Sequence, residues 1–303
     1  MEEKTTNDKI SEVYNDQTGF GSLANTYKDV KKKYPNITYK EVKEWYSKNA
    51  EYNVRSSGYN SFIASAPLQE FQVDLFNMKA KEGDVYKMGM AGIDVFTKRA
   101  MAVAIPDKQK ESLLEALKQI FKQLGKPKVL MADEEGGLVS NFVNDHLKKE
   151  KITYIINRNH CPFVERYIRT LKSMISKRLL KRPEAHWYDL LFETYIVYNR
   201  KMVSSVTKMT PAEATKKENQ AQAQMNLQLQ NKHNKVYEKI NLHDKVRLFR
   251  KRKHLNEKED VPIWSKATYE VVKIEDNPDA GKLYYLSNAP EKPILRSQIL
   301  KSQ

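Results

Sequence analysis

A single cysteine, Cys161, stands among the 303 residues. One thiol excludes an intramolecular disulfide and every zinc site that needs two thiolates, and it points to a reducing compartment. With 10 glycines and 11 prolines, the chain is too poor in both for a collagen-like or mucin-like protein. No apolar run approaches the ~18 to 20 residues of a membrane span. The first ten residues are charged and polar, without a signal-peptide core. The expectation is a soluble, intracellular protein that is not secreted by that route. What is present is ordinary for a globular chain of two or three domains: 40% hydrophobic and 30% charged residues.

The charge is not balanced. Lys and Arg number 53 against 38 Asp and Glu, a net charge of +15. A surplus of that size attracts a polyanion, and nucleic acid is the first candidate. Residues 1–66 carry 10 basic and 9 acidic side chains, residues 67–215 carry 25 and 18, and residues 216–303 carry 18 and 11. The basic field therefore belongs to the middle and the end of the chain.

Three regimes follow one another. Residues 1–66 read as a small helical domain, with one helix over 23–33 and another starting at Thr38, where Val42, Trp45 and Tyr46 share a face. Lysines beside that face give it the look of a helix-turn-helix recognition helix. Residues 67–215 open with FQVDLF, in which Phe71, Val73 and Leu75 alternate with Gln72, Asp74 and Phe76, and two further strands follow at hairpin spacing. Helices over 112–124, 139–149, 163–180 and 184–200 then interleave with strands over 127–132 and 152–156. The order βββαβαβαα predicts a mixed sheet covered by helices. Residues 216–237 are rich in Gln, Asn and Ala and read as a linker, helical in part. Residues 238–303 hold short β-branched and aromatic runs, the pattern of a small all-β barrel.

Three carboxylates stand out. Asp74 lies inside the first strand, Asp133 directly follows the strand KVLMA, and Glu165 opens a long helix beside the apolar stripe Val164, Ile168, Leu171, Ile175 and Leu179. Two carboxylates aimed at one point repel unless a cation lies between them. Four and seven residues beyond Glu165 come Arg169 and Lys172, on the same helical face. Three acids with a basic rim are what two Mg2+ or Mn2+ ions need to act on a phosphodiester. Each acid also has a plain structural reading, Asp133 as a strand end and Glu165 as a complement to the positive end of its helix.

The blocks FQVDLFNM, MGMAGIDVFTKRAMAVAI, KVLMADEEGG, FVERYIRTLK and KMTPAEA, in this order, resemble the core of retroviral-type integrases, an RNase H-like fold with a D, D, E triad. ITYKEVKEWYSKNAEYNV resembles the helical segment before the core in integrases of Maverick (Polinton) elements and virophages. KINLHDKVRLFRKRK with WSKATYEVVKI and YYLSN resembles the SH3-like or chromo-like barrel that follows it. The resemblance implies a zinc-free helical domain (1–66), a catalytic core (67–215), a linker (216–237) and a barrel (238–303). It implies Asp74, Asp133 and Glu165 as ligands of two Mg2+ or Mn2+ ions. It implies DNA contacts by Arg169 and Lys172; Arg158 and the run Arg250, Lys251, Arg252 and Lys253 are further candidate DNA contacts by their charge. That run also reads as a nuclear-import signal or a solvated hairpin tip. The implied activity is trimming of element DNA ends and strand transfer into target DNA. A homodimer or homotetramer, a chromatin contact through the barrel, and a place in the host nucleus, viral factory or virion go with it. Asp94 falls outside the triad and is expected to brace neighbouring strands.

Some positions depart from that pattern. ADEEGGLVS stands where the family has TD-x-G-x-E-F, and NRNHCPF replaces a longer flexible loop, with 31 residues between Asp133 and Glu165. These departures motivate two alternatives: a catalytically silent, integrase-derived DNA-binding or virion protein, and an RNase H-like nuclease without strand transfer. His160 beside Cys161 resembles a nucleophilic dyad only superficially, because adjacent residues seldom reach dyad geometry and no orienting third group is evident.

Overall fold

The structure, a computed structural model, describes residues 4–49, 64–79, 81–133, 138, 140–157, 161–229, 237–249 and 264–302. The chain divides into two compact units, one of residues 1–57 with 252–267 and 303, the other of residues 58–251 with 268–302. No helix among the described residues is long and apolar enough to cross a membrane.

In the first unit, α1 (Thr6–Tyr14), α2 (Leu23–Lys33) and α3 (Tyr39–Asn49) surround Ile10, Val30, Ile37, Val42 and Trp45. Capping residues set the starts: Thr5 with Asp8 forms a capping box on α1, Ser22 caps α2, and Thr38 exchanges hydrogen bonds with Glu41 on α3. Helix α1 is absent from the sequence-based expectation, although its Thr-x-x-Asp start is a readable signal. Glu12 of α1 accepts from Lys33 at 2.8 Å, Lys4 at 2.9 Å and Tyr34 at 3.0 Å, and these donors hold its carboxyl down to about 2. The domain is thus tied by an ion-pair hub over an apolar core.

The second unit begins with β1 (Glu70–Asn77), β2 (Met88–Asp94) and β3 (Ala100–Ile105). Next come α4 (Lys110–Leu124), β4 (Val129–Ala132), α5 (Asn141–Lys149), β5 (Thr153–Ile156), α6 (Pro162–Leu179) and α7 (Leu191–Lys201). The sheet runs β3-β2-β1-β4-β5, antiparallel on the β3 side of β1 and parallel on the other. This is the expected βββαβαβαα order. One face packs Phe71, Val73, Leu130 and Ala132 against Leu117 and Ile120 of α4 and Val143 of α5. The other packs Phe76, Val129, Met131 and Ile155 against Val164, Ile168, Leu171 and Ile175 of α6. Asn199 of α7 closes the β3 edge, its side-chain amide bonding both the N–H and the C=O of Ala100 at 3.0 and 2.8 Å.

One boundary differs from the expectation, and one segment packs more closely than its composition suggests. Helix α7 starts at Leu191 rather than 184, because short turns closed by Ala185 N–H to Arg182 C=O and Asp189 N–H to His186 C=O occupy the stretch after Pro183. The expected linker begins as a packed helix: after α8 (Pro211–Ala214), α9 (Lys217–Leu229) buries Ala223 and Leu227 against Ala64, Val95, Phe96 and Ala214. Two apolar residues four apart are enough for one buried face, and the surrounding Gln and Asn hide that signal in the composition.

The same unit ends in an antiparallel sheet of β6 (Lys245–Leu248), β7 (Tyr269–Asn277), β8 (Gly281–Leu286), β9 (Ala289–Leu295) and β10 (Ile299–Lys301), in the order β10-β6-β7-β8-β9. Val246, Leu248, Val271, Tyr284, Leu286, Ile294 and Ile299 fill its interior. Strand β9 carries two prolines, tolerable because it lies at the sheet edge. This sheet meets the mixed sheet directly. Ala280 and Leu283 join the apolar cluster beneath α6, β9 lies against β5, and Lys128 pairs with Asp279 at 2.9 Å. Gln298, fully buried between β9 and β10, donates to the Ile156 carbonyl at 3.0 Å and to Asn157 Oδ1 at 3.3 Å.

Candidate active site

The parallel register of β1 and β4 pairs Val73 with Ala132. The next residue on each strand is a carboxylate, Asp74 on β1 and Asp133 beyond β4. Neighbouring strands are ~4.8 Å apart and residues in register share a face, so the two acids stand side by side. Val73 and Ala132 face α4 and α5. Alternation therefore turns Asp74 and Asp133 to the α6 side. Asp74 Oδ1 accepts from the Leu75 N–H at 2.8 Å.

Glu165 lies in the first turn of α6, its N–H bonded to the Cys161 carbonyl at 3.0 Å. Pro162 at the first helical position presets the backbone for that turn. The turn is pinned to β1, for the Phe163 N–H donates to Gln72 Oε1 at 3.0 Å, and Gln72 shares the face of Asp74. The Cys161 thiol lies within the field of the same acids. Burial pushes its thiol well above its ordinary range, and the negative charges of Asp133, Asp74, Glu70 and Glu165 push it further. A buried thiol held protonated is a poor nucleophile, which removes the Cys/His reading.

Arg169 is exposed and Lys172 half-buried, both on the Glu165 side of α6; the Lys172 ammonium stands 6.0 Å from the ring centre of Phe76, the last inward residue of β1. Arg158, His160 and Arg250, Lys251, Arg252 and Lys253 lie outside the described residues. Asp94 braces the β2–β3 turn, accepting from the Phe96 N–H at 2.9 Å, the Thr97 hydroxyl at 2.9 Å and the Leu68 N–H at 3.2 Å.

Three groups beside the site escape a reading of the sequence. Glu70 and Gln72 precede Asp74 on its own face, and Lys98 reaches in from the β2–β3 turn. All three are buried. Burial raises Glu70 to about 7 and lowers Lys98 to about 7, although the nearby Asp94 and Glu70 charges favour the Lys98 cation. The polar alternation of EFQVD could have flagged Glu70 and Gln72; nothing local marks Lys98.

The donors suit a hard divalent cation. Mg2+ takes one or two carboxylates and completes its shell with waters and substrate phosphates. Among the described residues no three His, Cys, Asp or Glu side chains stand close enough to hold an ion by themselves. The adjacent pair Asp74 and Asp133 has the donor chemistry such an ion takes, with the rest of its shell left to other ligands.

No protein-family model matches the chain. It is 31% identical over 149 residues to the retrovirus-related Pol polyprotein from transposon 297 of Drosophila melanogaster, a match covering 48% of this chain and 13% of that protein. A transposon-derived protein of Caenorhabditis elegans is 25% identical over 117 residues, 37% of this chain and 40% of that protein. The chain thus spans well under half the length of these relatives. A chain in the structure of a simian T-cell lymphotropic virus intasome in complex with PP2A regulatory subunit B56 gamma superposes with a TM-score of 0.55 at 13% identity, over 94% of this chain and 96% of that one. The fold resembles that chain's: an RNase H-like mixed sheet with helices, followed by a second antiparallel sheet consistent with an SH3-like barrel.

Proposed function

We propose that the chain is a DNA integrase of a retroviral-type mobile element, in which Asp74, Asp133 and Glu165 hold two Mg2+ or Mn2+ ions at a scissile phosphodiester. The observation that carries this reading is the register that sets Asp74 beside Asp133 under the turn bearing Glu165. Bound there, the ions would supply charge stabilisation at the attacking and leaving oxygens. The chain's own part is orientation. Arg169 and Lys172 clamp DNA phosphates beside Glu165, and the positive end of α6 faces the incoming anionic backbone. Water is the nucleophile for end trimming, and the exposed 3′ hydroxyl attacks target DNA in the joining step. Neither step needs a covalent protein intermediate, in keeping with the inert Cys161 thiol.

The finer assignment is to an element of the Maverick, Polinton or virophage kind, acting in the nucleus or a viral factory. The active form is a homodimer or homotetramer, because two DNA ends must be joined together, and the barrel contacts chromatin. Purified chain incubated with Mg2+ or Mn2+ and a labelled duplex of the element's terminal repeat tests the activity, beside the Asp133→Asn variant. Trimmed and joined strands made only by the unmodified chain support integration. Trimming without joining would select a nuclease, and tight binding without products in either metal would select a silent DNA-binding protein.

A further inference from the structure

Lys98 occupies a position that lysine rarely takes. Its backbone φ of 63° lies in the left-handed region, where a Cβ is disfavoured, yet the residue is 5% exposed with its side chain inside the protein. The turn is clamped in that shape by Asp94, whose carbonyl accepts the Lys98 N–H at 2.9 Å and whose carboxylate takes the three bonds described above. Inside, Lys98 Nζ donates to the Val95 carbonyl at 2.6 Å and stands 3.6 Å from the ring centre of Phe163. In its protonated form, a desolvated amine over an aromatic face makes the strong version of that contact. Phe163 is the second residue of α6 and precedes Glu165 by two. Its N–H is held by Gln72, whose amide in turn donates to Glu70 at 3.2 Å. The first turn of α6 is therefore gripped twice, at its backbone from β1 and at its side chain from Lys98.

We propose that Lys98 is a positioning residue for Glu165: by holding the Phe163 ring it fixes the first turn of α6 over β1 and β4, and so limits how far Glu165 must move to reach a cation held by Asp74 and Asp133. The proposal rests on reading those three carboxylates as the metal site. A role confined to compensating the buried Glu70 and Asp94 charges would affect folding alone. Positioning affects metal affinity in protein that is already folded.

The test is Mn2+ binding to the full-length chain without DNA, followed by electron paramagnetic resonance of the free ion, for the unmodified chain and for Lys98→Met, Lys98→Arg, Phe163→Leu and Asp133→Asn, with circular dichroism as the fold control. Lys98→Met keeps the stem and removes the charge, whereas Phe163→Leu keeps the lysine and removes the ring. Each is expected to weaken Mn2+ about tenfold, with Lys98→Arg restoring affinity to within about twofold, the scale of a lost outer partner of a metal ligand. Folded Lys98→Met and Phe163→Leu proteins with unchanged affinity would overturn the proposal. Should Lys98→Met fail to fold, Phe163→Leu alone decides. Binding that is insensitive to Asp133→Asn would overturn the carboxylate reading, and this proposal with it, a result distinct from loss of the Lys98 effect alone.

Discussion

Replacing Gln298 by Leu isolates the join between the barrel and the edge of the mixed sheet. The wild-type amide, itself fully buried, donates to the Ile156 carbonyl and to Asn157 Oδ1, and its oxygen accepts the Leu295 N–H at 3.1 Å. Leucine is close in size, so little cavity opens and the loss is polar. Two or three net hydrogen bonds at about 1 kcal/mol each, with a buried carbonyl left unmatched, sum to about 3 to 4 kcal/mol. The unit containing both sheets has about 230 residues. At that size a shift of about 2 °C per kcal/mol predicts a Tm lower by about 6 to 8 °C. The same change should reach the site, because the Asn157 N–H bonds the Ala132 carbonyl at 2.8 Å, one residue before Asp133. Scanning calorimetry of the full chain, with strand-transfer assays below the transition, reads both effects. A shift under about 2 °C would mean that water replaces Gln298 at no cost and that Gln298 does not help to join the two sheets.

The other predictions concern the site and its charges. Asp74→Asn, Asp133→Asn and Glu165→Gln should each leave the circular dichroism spectrum unchanged and lower trimming and joining by at least ~100-fold, the upper end of what losing a mere outer partner costs; near-normal products from any one would remove it from the triad. Glu70 and Lys98 give opposite pH limbs. The folded chain holds the Glu70 proton up to about 7 while the unfolded chain loses it near 4.5, so stability falls as pH rises across that window; Lys98 deprotonates near 7 when folded and near 10.5 when unfolded, so stability rises with pH from there. Urea titrations should lose the first limb in Glu70→Gln and the second in Lys98→Met, and limbs that persist would refute the burial argument. For DNA binding, neutralising ~6 phosphates predicts a slope of about −5 for log affinity against log salt, and a flat line would refute recognition by the basic surface.

What the sequence discloses and what it conceals divide along a physical line. Asp74 and Asp133 are legible because a charge placed in, or just after, an apolar strand is costly, and that cost shows in the one-dimensional pattern. Glu165 is legible because the apolar stripe of α6 fixes which face it borders. The pairing that sets Asp74 beside Asp133 is a matter of register, Val73 against Ala132. No local pattern specifies which strand lies beside which, although the βββαβαβαα order narrows the choices. Lys98 and Gln298 are invisible for a further reason. A lysine in a turn and a glutamine near the end of the chain look like solvated residues, and only the left-handed backbone of one and the complete burial of the other reveal otherwise. Both act across long sequence separations, Lys98 on Phe163 and Gln298 on Ile156. The acids that would carry the chemistry can thus be read from composition and period. The residues that hold those acids in register belong to tertiary structure, so substitutions there should separate geometry from charge in a way that changing the acids themselves cannot.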